Sequence, residues 1–64
     1  MEDRYINERK VNELTDRALP TLRNDRSKGI GIPYVKVGKS VRYRLSDVIG
    51  FMEKHKVQTE QEGR

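Results

Sequence analysis

The sequence predicts a small α+β domain, mostly helical, in which two helices, a β-hairpin and a third helix follow one another. Three observations carry that reading. Apolar residues recur at helical spacing in two short stretches up to Lys28, they alternate with polar residues on both sides of Gly38-Lys39-Ser40, and helical spacing returns after Ser46. The chain has 64 residues, which leaves room for one domain; a chain of this size buries only ~60% of the surface its unfolded form exposes.

Each element has a local cause. After the short apolar pair Tyr5-Ile6, Asn7 is placed to cap a first helix over 8–15, its side-chain oxygen accepting from a free amide, with Glu8 in the first turn where the helix dipole favours an anion. Val11 and Leu14 form its apolar edge. Thr15-Asp16-Arg17-Ala18 breaks the pattern, and a second helix over 19–28 buries Leu19 and Leu22, with Arg26 following on the same edge. Pro20 fits only in the first turn of that helix, and Gly29 is suited to stop it in a left-handed conformation. The alternation then predicts a hairpin with a three-residue turn, Gly38-Lys39-Ser40. One face is expected to carry Val35, Val37, Val41, Tyr43 and Leu45 inward, and the other Lys36, Arg42 and Arg44, with Lys39 at the tip. Ser46 is read as the cap of a third helix over 47–56, with Val48, Phe51, Met52 and His55 on its inner side and His55 packed or half-exposed at its end. Residues 1–56 are taken as the domain and 57–64 as a polar tail.

Composition narrows the function. Hydrophobic residues make up 33% and charged residues 38% of the chain, and there is no cysteine. Disulfides and thiolate metal sites are thereby excluded, and the lone His55 is no metal site by itself. The lack of a long apolar run or a signal-like segment leads to the expectation of a cytoplasmic protein without a membrane partner. Charge is unevenly distributed. Residues 17–44 hold eight basic residues and one acid, a local +7, while the rest holds six basic and nine acidic residues, a local −3. Such a segment suits a polyanion.

The stretches TLRN at 21–24, IPYVKVG at 32–38 and VRYRLSDV at 41–48 resemble the excisionase-type helix-turn-helix family, relatives of the MerR DNA-binding domain. The likeness covers about residues 5–55. It implies a winged helix-turn-helix whose second helix enters the DNA major groove while the hairpin wing meets the backbone or minor groove. Two departures stand out: Asp25 where the family often has an aromatic, and Ala18 where it often has a serine cap. A carboxylate near the core needs a partner, for which Arg42 or Arg44 is the expectation, unless the helix is slightly rotated.

On this reading the candidate DNA contacts are Arg17, Pro20, Thr21, Arg23, Asn24, Ser27 and Lys28 around the second helix, and Lys36, Lys39, Arg42 and Arg44 on the wing. Arg23 suits paired contacts to guanine and Asn24 to adenine; Thr21 and Ser27 suit phosphate. Tyr43 is expected in the core, whereas Tyr34 faces the other way, toward DNA sugar or a helix. No catalytic constellation emerges: Ser46 is better explained as a cap than as a nucleophile, and Gly29-x-Gly31 precedes a strand, where no phosphate-cradling helix begins. The expectation is a non-enzymatic, cofactor-free, sequence-specific binder of double-stranded DNA, either a small transcriptional regulator or an excisionase-like bending factor of a mobile element. It would act as a pair or cooperatively, with an integrase, recombinase or RNA polymerase as a further partner. The competing reading is a protein-interaction adaptor, which predicts an exposed apolar patch.

Overall fold

The computed structural model describes residues 3–57, so the polar stretch from Gln58 to Arg64 lies outside the described residues. Three helices and a three-stranded antiparallel sheet make an α+β fold that is about half helical. The elements are β1 (Tyr5–Ile6), α1 (Glu8–Thr15), α2 (Leu19–Lys28), β2 (Val35–Val37), β3 (Ser40–Arg44) and α3 (Leu45–Lys54). Strand β3 lies centrally in the order β1-β3-β2. One core joins every element except β2: Ile6, Val11, Leu22, Ile32, Tyr43 and Val48 are buried, with Leu19, Val41, Leu45 and Phe51 packed against them.

The first two helices end where local chemistry dictates. The Asn7 side chain accepts from the Lys10 amide at 3.0 Å. At the other end of α1, Asp16 adopts a left-handed φ of 60°. The turn into α2 is fixed by side chains: Asn12 Nδ2 donates to the Arg17 carbonyl and the Thr15 hydroxyl to the Val11 carbonyl, each at 2.8 Å. Helix α2 closes at Gly29, φ 73°. There the Gly29 amide donates to Arg26 and the Ile30 amide to Asp25, the crossed pair that satisfies a helix's last carbonyls.

The hairpin departs from the sequence reading. Val37 pairs with Ser40, Lys36 with Val41 and Val35 with Arg42, so the turn has two residues, Gly38-Lys39, where three were expected. Gly38 takes a positive φ of 62° at the first central position, as tight hairpin turns of this kind require. Because side chains alternate faces, a one-residue change of register flips an entire strand. Lys36 therefore shares the face of Val41, and Val35 and Val37 share the face of Arg42; they are 41% and 66% exposed and not in the core. Tyr43 stays inward at 1% exposure, opposite Ile6 of β1, a strand the sequence had shown only as an apolar pair.

Helix α3 begins at Leu45, two residues earlier than expected, and Ser46 is not its cap. The carboxylate of Asp3 reaches across instead, accepting from the Ser46 amide at 3.2 Å and its hydroxyl at 3.3 Å. The helix ends at Lys54. His55 closes it, its ring lying 4.2 Å from that of Phe51 and its Nδ1 bonded to the Phe51 carbonyl. Leu14 and Met52, expected on inner edges, are 55% and 43% exposed and line a groove between α1 and α3.

Gly31 is the tightest point of the segment after α2. Its φ is 88°, and a Cβ there would stand 2.8 Å from the Asp25 Cβ. Gly31→Ala is expected to lower stability by about 2 kcal/mol or more, through backbone strain and the clash together. Gly38→Ala, with open space around it, is expected to cost about 1 kcal/mol from backbone strain alone. Urea unfolding of the two variants checks that order.

Candidate nucleic-acid interface

Helix α2 divides into two arcs. Advancing 100° per residue from Leu22, its inner arc holds Leu19, Leu22, Asp25 and Arg26. Its outer arc holds Pro20, Thr21, Arg23, Asn24, Ser27 and Lys28, and all six are exposed. The sequence reading of this helix and its two faces holds.

The inner arc is organised by two ion-pair groups. Arg17 donates to Asp25 at 2.6 Å while lying 5.4 Å from the centre of the Phe51 ring. The partner of Asp25 is thus Arg17, not Arg42 or Arg44: the helical turn that carries Asp25 faces the start of α2 and Gly31, away from the hairpin. Arg17, counted among the DNA contacts, has its guanidinium engaged here.

The second group ties three elements together. Glu8, at the start of α1, receives a fork from Arg23 at 2.6 and 3.3 Å and a further bond from Arg26 at 3.3 Å. Arg26 also donates to the Tyr43 hydroxyl at 2.7 Å, and its guanidinium lies 5.8 Å from the Tyr34 ring. Hydrogen bonding from Arg23 leads the effects that hold the Glu8 carboxyl below its ordinary value of 4.5, outweighing its partial burial. Burial works against the Arg26 charge, but its bonds to Tyr43 and Glu8 prevail and raise its pKa. Tyr34, 42% exposed, rests against Arg26 and the Tyr43 ring.

On the hairpin, Arg44 is drawn toward β1. It donates to the Tyr5 hydroxyl at 3.2 Å and lies 3.8 Å from Asp3, and its pKa is raised chiefly by the Tyr5 bond. Lys28, Lys36, Lys39 and Arg42 are exposed and have no acidic partner among the described residues. Acids pair instead with Arg17, Arg23, Arg26 and Arg44, and the outward four are left without an acidic partner among the described residues.

The hairpin tip faces the start of α1 across a cleft of about 300 Å³, lined by Asn7, Glu8 and Arg9 on one side, Lys39 to Arg42 on the other, and Arg26. Sequence reasoning missed two residues here. Arg9 lies outside the basic segment and drew no notice. Glu8 looked like a simple dipole partner, because its arginines stand 15 and 18 residues away in the chain. Among the described residues no cluster of His, Cys, Asp or Glu suited to a metal is found, and no helix is long and apolar enough to cross a membrane. Comparison with known proteins gives no match to a family model, a curated protein or a solved structure.

The Glu8 group sets a pH dependence. A carboxylate whose folded-state pKa is depressed contributes stability above its unfolded value, and that contribution is lost as pH falls through the folded one. Glu8→Gln is expected to lower the thermal midpoint by about 5 °C at pH 7. The gap from wild type should close as pH drops below 4.5, the ordinary value. Circular dichroism melts from pH 7 to 2.5 read this directly.

Proposed function

We propose that this protein is a sequence-specific DNA-binding protein in which α1 and α2 act as a helix-turn-helix and the β2–β3 hairpin as a wing. The observation that carries the reading is the division of charge. Acidic partners neutralise Arg17, Arg23, Arg26 and Arg44, whereas Lys28, Lys36, Lys39 and Arg42 stand exposed and unpaired among the described residues. Unpaired cations on one helix end and one hairpin suit phosphates, whose neutralisation releases counterions and drives affinity.

In this reading the outer arc of α2 enters the major groove. Asn24 is free to read adenine, and Arg23 leads with a guanidinium already oriented by Glu8 for paired contacts to guanine. Thr21, Ser27 and Lys28 flank them with donors for phosphate. The wing contributes Lys39 at its tip and Arg42 and Lys36 on opposite faces, so it straddles a backbone with one cation on each side. The role in the cell is that of a small regulator or an excisionase-like bending factor, bound as a pair or cooperatively.

An adaptor reading is favoured by a different feature, the groove between α1 and α3 lined by Leu14, Leu45, Val48, Ile49 and Met52. It is compatible with DNA binding at the basic surface, and it replaces that reading only if DNA fails to bind.

Fluorescence anisotropy with duplex DNA at several salt concentrations tests the proposal. Affinity is expected to fall steeply with salt, and Lys39→Gln and Arg42→Gln should each reduce the log–log slope, by up to about 1. On a duplex selected for tight binding, Arg23→Ala should weaken binding roughly tenfold or more and relax discrimination at one base pair. Absence of binding at low salt overturns the reading.

A further inference from the structure

Arg9 is an exposed cation that the winged-helix reading leaves unused, on neither α2 nor the hairpin, yet it lines the cleft that the hairpin tip faces. Its place in the fold is informative. Asn7 caps α1 through the Lys10 amide, and the Val11 amide bonds to the Asn7 carbonyl at 3.1 Å. The amides of Glu8 and Arg9 remain without an intrahelical partner, at the positive end of the helix dipole. Opposite them, across the cleft of about 300 Å³, stand Lys39, Ser40 and Arg42.

We propose that this cleft is a phosphate site, taking one phosphodiester group of the DNA backbone between Arg9 on α1 and Lys39 and Arg42 on the hairpin. The inference rests on the DNA-binding reading above and adds to it a contact on α1. Charge is the first argument. Glu8 is the one acid in the lining, and both its oxygens are occupied, by Arg23 and Arg26. Arg9, Lys39 and Arg42 have no acidic partner among the described residues. Three like charges bordering one concavity repel one another and are stabilised when an anion enters.

The chemistry of the lining is the second argument. Val41 is its one apolar residue. Ser40 offers a hydroxyl, and the two unpartnered amides of α1 offer the donor pattern that phosphate oxygens accept. The third concerns the source of the phosphate. Lys28 and Lys36 extend unpaired positive charge beyond the cleft, more than one free anion neutralises, which selects a polymer of phosphates. With its ends held on α1 and on the hairpin tip, a bound phosphate fixes the angle between the hairpin and the helix pair, and so the angle at which α2 meets the groove.

The test compares Arg9→Gln with Lys54→Gln, which removes the same charge from α3, outside the cleft and the proposed interface. Circular dichroism confirms that both variants fold. Against a random-sequence duplex, Arg9→Gln is expected to weaken binding roughly 3–10-fold and to lower the salt slope by less than about 1, because Lys39 and Arg42 still serve the same phosphate. Lys54→Gln should change neither. In the double variant with Arg42→Gln, the losses should be less than additive, because both residues serve one phosphate. Titration of labelled wild type with inorganic phosphate should move the amides of Glu8, Arg9, Ser40 and Arg42. If the duplex binds wild type and Arg9→Gln alike, while Lys39→Gln weakens it, the cleft proposal is overturned and the DNA reading stands. If no duplex binds, the DNA reading and the diester assignment both fall. Phosphate-induced shifts in that case would make the cleft a site for a free phosphate.

Discussion

The hydroxyl of Tyr43 governs this molecule. Its ring fills the centre of a six-residue core, where a phenol left without a partner is costly, and the strand that bears it is flanked on both sides. Arg26 answers that need from α2, and its half-buried guanidinium in turn takes an anion. Glu8 supplies it from α1, and its remaining capacity captures Arg23. One phenol, two arginines and one carboxylate thus lock both early helices onto the central strand. For a chain with no cysteine and a core of six side chains, this polar lock sets the relative placement that apolar packing alone leaves loose.

The same economy shapes the surface. Three acids are committed to arginines that support the fold: Asp25 to Arg17, Glu8 to Arg23 and Arg26, Asp3 to Arg44. Lys28, Lys36, Lys39 and Arg42 have no such partner among the described residues. The charge of the segment therefore divides into a structural set, whose partners come from elsewhere in the chain, and an outward set that suits an external anion. Arg23 belongs to both, oriented by Glu8 yet 55% exposed.

What the sequence made legible follows the range of the forces involved. Helices α1 and α2 matched their expected bounds because their signals are local: Asn7 caps, Pro20 opens, Gly29 closes. Tyr43 was correctly placed in the core, since it alternates with two arginines. Features that depend on distant partners were hidden. Asp3 caps α3 from 43 residues away, a role the adjacent Ser46 seemed to fill. Strand β1 is only two residues long and exists by pairing with β3. Asp25 was assigned to the hairpin arginines because only the folded turn brings Arg17 to it. The face of β2 was misjudged for a different reason. Gly38-Lys39-Ser40 admits a turn of two residues or three, and the alternation on each side is equally regular either way.

That last ambiguity has a consequence for how this hairpin tolerates change in length. Parity in β2 is counted from the turn, so a residue added at the tip while the turn keeps two residues would enter the ribbon and turn β2 over relative to β3. Val35 and Val37 would then line up with Val41 and Tyr43, and Lys36 would join Arg42 and Arg44 on the other side. A one-codon insertion, with no change to any existing side chain, would exchange an outer face of mixed valine and arginine for one almost wholly cationic. The tip is a dial with two settings, and the pairing of Val37 with Ser40 holds it at the one where the positive charges sit on both sides of the ribbon.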